Sequence, residues 1–204
     1  MLLRIVEDRE LVERARGGDV ESFNVLVSRW EKKLYNYLLR LTSNREDALD
    51  LSQEAFFKAF QNLKSLEEAD KFASWLYRIA HNTAYSKFRG DQRRGAGETD
   101  SWPEGDGEAG LPRTSDKRVH PLELEIMVER ALERLPEEQR EAILLKVHHG
   151  FKFTEIAEIQ SCPVSTVKSR IYAGFETLRN EDWGMHWNEK ARIHELRRNK
   201  TSAL

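Results

Sequence analysis

Apolar residues recur at intervals of three and four over most of this chain, and the places where that rhythm fails delimit its helices. Leu2 to Arg16 reads as a first helix ended by Gly17-Gly18, after which Asp19 stands where an N-cap belongs. Phe23, Leu26, Val27, Trp30, Leu34, Tyr37, Leu38 and Leu41 predict a long second helix, punctuated by Thr42 to Asn44. A third runs from about Arg45 to Leu63 with Ala48, Leu51, Ala55 and Ala59 inward. After a short loop, Ser65 to Asp70, a fourth helix carries Phe72, Trp75, Leu76, Ile79, Ala80 and Thr83 as its core stripe.

The rhythm stops between Gly90 and His120, where glycines and charges replace almost every apolar residue; such a segment reads as a mobile linker, with Trp102 as either an anchor for a partner or a stray exposed ring. It resumes at Pro121. Leu122, Leu124, Ile126, Val128, Ala131, Leu132 and Leu135 form one helix, Pro136 opens the next, and Ile143, Leu144 and Val147 supply that helix's core before His148-His149-Gly150 end it. From Gly150 to Leu178 the pattern is two helices around a tight turn. Ile156, Ala157 and Ile159 face inward from the first, Ser161, Cys162 and Pro163 break the periodicity, and Val164, Val167, Ile171 and Leu178 form the stripe of the second, which opens within Pro163 to Ser165. Strand signals are nearly absent. The expected class is all-α: a four-helix domain over residues 1–89, a flexible linker 90–120, a helix-turn-helix domain 121–180, and an extension 181–204 that reads as a peripheral helix or a basic tail.

The outward faces carry the candidate chemistry. On the third helix Asp50, Gln53, Glu54 and Phe57 share a face by their spacing, and a ring among acids suits a partner interface, although Phe57 tucked against a neighbouring helix fits the same pattern. On the fourth, Ser74, Arg78, His81, Asn82, Tyr85 and Arg89 line up opposite the core stripe, near Lys87, Arg93 and Arg94. Basic groups hold a phosphate backbone while aromatic and amide groups engage exposed bases, so this face suits single-stranded DNA; Tyr85 fits a core position equally well. In the helix-turn-helix, Ser165, Thr166, Lys168, Ser169, Arg170 and Tyr172 face out from the second helix, the one that enters the major groove in such units. Taken alone, that stretch also fits an ordinary helical hairpin with a solvated face.

Composition narrows the choice. A third of the 204 residues are charged and the formal net charge is −2, so any DNA contact must come from local basic patches rather than overall charge. No apolar run approaches the roughly 18 residues that span a bilayer, and MLLRIVEDRE has no signal-peptide anatomy, so a soluble cytoplasmic protein is expected. Cys162, the single cysteine, forms no internal disulfide and no metal site unaided; a structural thiol in the turn is the expected role. There is no Gly-rich phosphate loop, nucleophile–base arrangement or clustered ligand set, which argues against an enzyme, a metal or a cofactor.

Four motifs in one order, DLSQEAFFKAF at Asp50, FASWLYRIAHNTAYSKFR at Phe72, LERLPEEQREAILL at Leu132 and FTEIAEIQSCPVSTVKSRIYAGFETL at Phe153, resemble the small two-domain extracytoplasmic-function (ECF) sigma factors of bacterial RNA polymerase. The resemblance covers about Leu11 to Arg89 and Pro121 to Leu178. It implies that Asp50, Gln53, Glu54 and Phe57 dock on the clamp helices of the polymerase large subunit, with the flap as a further contact. It implies that the fourth helix and the preceding loop recognise the minus-ten element and hold an everted base. The candidates there are Lys71, Trp75, Arg78, His81, Asn82, Tyr85 and Arg89, with Asn82 at the family's characteristic asparagine. Ser165, Thr166, Lys168, Ser169, Arg170 and Tyr172 become the minus-thirty-five candidates, and an anti-sigma partner is expected. Ser86 and Ala173 depart from the residues many members carry, which bears on promoter preference. A polymerase-independent helix-turn-helix regulator and a protein–protein adaptor are the alternatives; the first would ordinarily dimerise, and no dimerisation helix is evident.

Overall fold

The computed structural model describes residues 6–95, 128 and 130–180, with side chains over 6–90, 128 and 130–179. Residues 2–5, the Gly-rich stretch with Trp102, Leu122, Leu124, Ile126 and the extension from 181 lie outside the described residues. The described residues are helices and turns without a strand, in two compact units.

The first unit contains α1 (Asp8–Arg16), α2 (Val20–Thr42), α3 (Arg45–Asn62) and α4 (Phe72–Gly95). Acids in the first turn of α1 and Arg14 and Arg16 in its last turn suit the helix dipole. Gly18, at φ +99°, reverses the chain, and Asp19 caps α2 as its position predicts, accepting from the Ser22 amide at 3.3 Å and hydroxyl at 2.6 Å. Asn44 does the same for α3, accepting from the amides of Glu46 and Asp47. The expected loop after α3 is more ordered than its sequence suggests, forming two 3₁₀ turns, Leu63–Ser65 and Ala69–Lys71.

Small Ala48, Ala55 and Ala59 on α3 are fully buried, giving α2 and α4 a close-fitting surface; Leu26, Leu34, Leu38, Leu76 and Phe72 are among the larger side chains of the core. Each such side chain contributes about 1.5–3 kcal/mol by leaving water. Tyr77, which lies outside the predicted stripe, is fully buried, with its ring 5.0 Å from Tyr37 and 6.4 Å from Trp30. Ser74, expected on the outer side of α4, is buried too, and its hydroxyl returns to the Lys71 carbonyl at 3.1 Å. The fourth helix continues past Gly90 to Gly95, because Asp91, Gln92, Arg93 and Arg94 tolerate helix well enough to carry one glycine, a cost of about 1 kcal/mol.

The second unit has helical residues at 130–133, then α5 (Glu137–Ile143), α6 (Phe153–Ile159) and α7 (Val164–Asn180). Ala131, Leu132 and Leu135 are buried as expected, and Pro136 stands at the N-cap of α5. Val147 corrects the sequence reading. It is 59 % exposed, because α5 widens into a π-helical turn over Leu144–His148, closed by the His149 amide donating to the Leu144 carbonyl at 3.3 Å. The wider turn rotates each residue less than an α-helix does, which turns Val147 outward while Leu144 and Leu145 stay buried.

Candidate functional site

Asp50, Gln53, Glu54 and Phe57 are all exposed on one side of α3, opposite the buried alanines. Phe57 is 62 % exposed, which removes the reading that it packs against a neighbouring helix. Leu49 and Phe60, at 50 % and 48 %, add apolar surface to the same side, at steps of four, four and three through Gln53 and Phe57. The sequence reading left them out, although their spacing was visible. Phe60 is anchored edge-on against Phe23 at 5.0 Å, so this apolar surface is continuous with the core of the unit. Behind it, Lys58 joins the Glu54 carboxylate at 2.7 Å to the Thr83 hydroxyl of α4 at 3.1 Å.

On α4 and the turn before it, Lys71, Trp75, Arg78, Asn82, Tyr85 and Arg89 follow one another at steps of four and three, a single stripe along the helix. Lys71, Arg78, Asn82 and Arg89 are exposed; Trp75, His81 and Tyr85 are half-buried. Trp75 leans on the buried Phe72, with ring centroids 6.2 Å apart, and His81 stacks on Tyr85 at 4.3 Å. The rings are therefore held by the body of the helix while the amide and cations project past them. Glu68 accepts from the Lys71 ammonium at 2.8 Å and raises its pKa above the ordinary lysine value, so this group stays cationic. Such a stripe offers rigid ring faces for bases and positive charge for phosphates.

In the second unit the helix-turn-helix forms as the punctuation predicts. Lys152's amide donates to Glu155 at 2.6 Å at the start of α6, Ser161 takes φ +50°, the Cys162 amide returns to the Ala157 carbonyl at 3.0 Å, and α7 begins at Val164. Val167 and Ile171 are buried beneath α7. At Gly174 α7 lies close against α5: a Cβ there would lie 2.6 Å from Ile143 Cδ1. Ser165, Lys168, Ser169 and Tyr172 face out, and Thr166 is half-buried. Arg170 differs from the rest of the predicted set, being half-buried and held by Cys162 and Glu138. Burial raises the Cys162 thiol pKa, outweighing the opposite pull of Arg170, which favours the protonated thiol over a reactive thiolate.

No group of three or more His, Cys, Asp or Glu among the described residues could hold a metal ion, and no described helix is long and apolar enough to cross a membrane. Two family models match the two units. Sigma-70 region 2 covers residues 26–94 and Sigma-70 region 4 covers residues 125–178. The chain is 37 % identical over 180 residues to the ECF RNA polymerase sigma-E factor of Haemophilus influenzae, covering 85 % of this chain and 94 % of that one. It is 38 % identical over 179 residues to the ECF RNA polymerase sigma-E factor of Escherichia coli K12, covering 85 % and 93 %. Among solved structures it is similar to the sigma factor RpoE of Bartonella quintana, in complex with the anti-sigma factor NepR, at 26 % identity and a TM-score of 0.63, covering 78 % of this chain and 95 % of that one. The α4 stripe, the helix-turn-helix and these matches together place the chain in the extracytoplasmic-function sigma factors, the non-enzymatic subunits that give bacterial RNA polymerase its promoter specificity.

Proposed function

We propose that this sigma factor works in the cytoplasm by dividing promoter recognition between its two units, with residues 1–89 carrying both polymerase docking and minus-ten capture and residues 121–180 reading the minus-thirty-five element. The carrying observation is the α4 stripe: Lys71, Trp75, Arg78, Asn82, Tyr85 and Arg89 stand on one face, with His81 stacked beside them. A base leaving the duplex meets a ring face and an amide there, and its phosphates meet cations. Capture of unpaired bases makes strand opening favourable, so the same helix recognises and melts. The exposed Asp50, Gln53, Glu54 and Phe57 support docking of α3 on the large-subunit clamp helices, since a ring rimmed by polar groups is the usual anatomy of a protein interface.

In the second unit Ser165, Thr166, Lys168, Ser169 and Tyr172 meet base edges and phosphates of the minus-thirty-five element, with the flap holding this unit on the polymerase. Each contact alone is weak. Core polymerase keeps the two units at promoter spacing, so the second engagement becomes intramolecular and gains through effective concentration. The segment between the end of α4 at Gly95 and residue 121, expected as a linker, spans that distance, and the extension 181–204 is assigned no part. An anti-sigma protein as negative regulator is supported by the likeness to a sigma factor solved with one.

Separation of function tests this division. Purified protein is combined with core polymerase, and core affinity and promoter opening are measured for two groups of variants. Changes at Asp50, Glu54 and Phe57 should weaken core binding, whereas Arg78→Ala and Asn82→Ala should bind core normally and fail to open promoters. Normal opening by the Arg78 and Asn82 variants would refute the α4 assignment.

A further inference from the structure

Arg170 stands on α7 between exposed Ser169 and buried Ile171, yet its guanidinium is engaged inside its own unit. Nη1 donates to Cys162 Sγ at 3.5 Å, in the turn that joins α6 to α7, and Nη2 lies 3.4 Å from Oε1 of Glu138 in the first turn of α5. Its side chain is 22 % exposed, whereas Lys168 and Ser169 are open to solvent. One planar, permanently charged group thus touches the turn that sets where α7 starts and the helix that packs beneath it. Lysine has no equivalent fork.

We infer that Arg170 is a positioning residue for minus-thirty-five recognition: it clamps α7 to Glu138 and Cys162, fixing the angle at which Ser165, Lys168, Ser169 and Tyr172 meet DNA, and makes no DNA contact itself. The inference rests on the reading of α7 as the minus-thirty-five helix. It differs from a direct phosphate contact in the sign it gives to Glu138. If Arg170 reached phosphate, Glu138 would compete for it and repel DNA, so removing the acid would strengthen binding. For a clamp, removing the acid loosens α7 and weakens binding.

The test uses the full-length protein assembled with core polymerase and a promoter fragment recovered by transcript mapping, with binding measured over a salt series. Glu138→Ala should weaken binding about fivefold, the scale of one partly exposed ion pair. Arg170→Ala should weaken it by about tenfold or more, with the salt slope unchanged, whereas Lys168→Ala should lower that slope by about one. The exchange Glu138→Arg with Arg170→Glu should recover most of the lost affinity, which a general loss of packing would not permit. Glu138 is 58 % exposed, so Glu138→Ala remains informative even if Arg170→Ala folds poorly. Tighter binding by Glu138→Ala, or an exchange variant weaker than both single changes, would overturn the clamp while leaving α7 as the reading helix. No effect from any variant, Lys168→Ala included, would overturn both.

Discussion

The imidazole of His81 and the ring of Tyr85 stack one helical turn apart on α4, with centroids 4.3 Å apart and planes 37° apart. Tyr85 also meets Phe88 edge-on at 5.8 Å, so its ring is braced on two sides before any DNA arrives. A base that stacks on a braced ring loses little to ordering the protein. Tyr85→Ala should therefore destabilise the open complex by about 1–3 kcal/mol, the usual value of one base–aromatic stack, while Tyr85→Phe keeps most of it. Open-complex lifetime in a competitor challenge measures this; equal lifetimes for the Ala variant and the parent would place the base elsewhere.

Phe57 separates binding from stability. At 62 % exposure it contributes little to the fold, whereas an exposed aromatic at the centre of a docking face often dominates affinity. Phe57→Ala should lose about 1–3 kcal/mol of core-polymerase affinity in a fluorescence titration. Its thermal midpoint should match the parent; a lowered midpoint with unchanged affinity would mean that the ring serves the fold.

Gly174 predicts the opposite pattern. A Cβ at this position meets Ile143 Cδ1 at 2.6 Å and Leu135 Cδ1 at 3.5 Å, so a large side chain must displace these side chains or push α7 away from α5. Gly174→Leu should cost about 1–3 kcal/mol in chemical denaturation, and more on combination with a bulkier residue at 143. Trimming Ile143 to Val beside Gly174→Ala should relieve the clash. Full stability of Gly174→Leu would show that the interface has room to spare.

Asp19 supplies an acid-sensitive element. The Ser22 hydroxyl, followed by the Ser22 amide, holds its carboxyl below the ordinary value of 3.8. A group whose folded pKa is depressed stabilises the fold above its unfolded pKa and loses that contribution as pH falls through the lower folded value. Asp19→Asn should keep a cap at neutral pH, since Asn caps well, and should melt with less dependence on acidity below the ordinary carboxylate range. An unchanged acid limb would show that the cap carries no part of it.

Helix ends and faces were legible in the sequence wherever local chemistry decides them. Asp19, Asn44 and the Ser161–Pro163 break act within a few residues of themselves, and the α3 and α4 stripes follow from a fixed helical period. What escaped depends on distant neighbours. Tyr77 is buried because α2 brings Tyr37 and Trp30 to it, and Arg170 is engaged because α5 brings Glu138. Val147 escaped for another reason: a π-helical turn changes the period on which the face was read. The tight place at Gly174 likewise exists only once α5 and α7 are packed.

The most direct test of the central claim is transcription in vitro with purified core polymerase on fragmented genomic DNA, mapping transcript starts with and without this protein. A discrete set of new starts sharing two upstream elements, one at minus ten and one at minus thirty-five, is the predicted result. Stable binding to core with no new starts, or no binding to core at all, would contradict it.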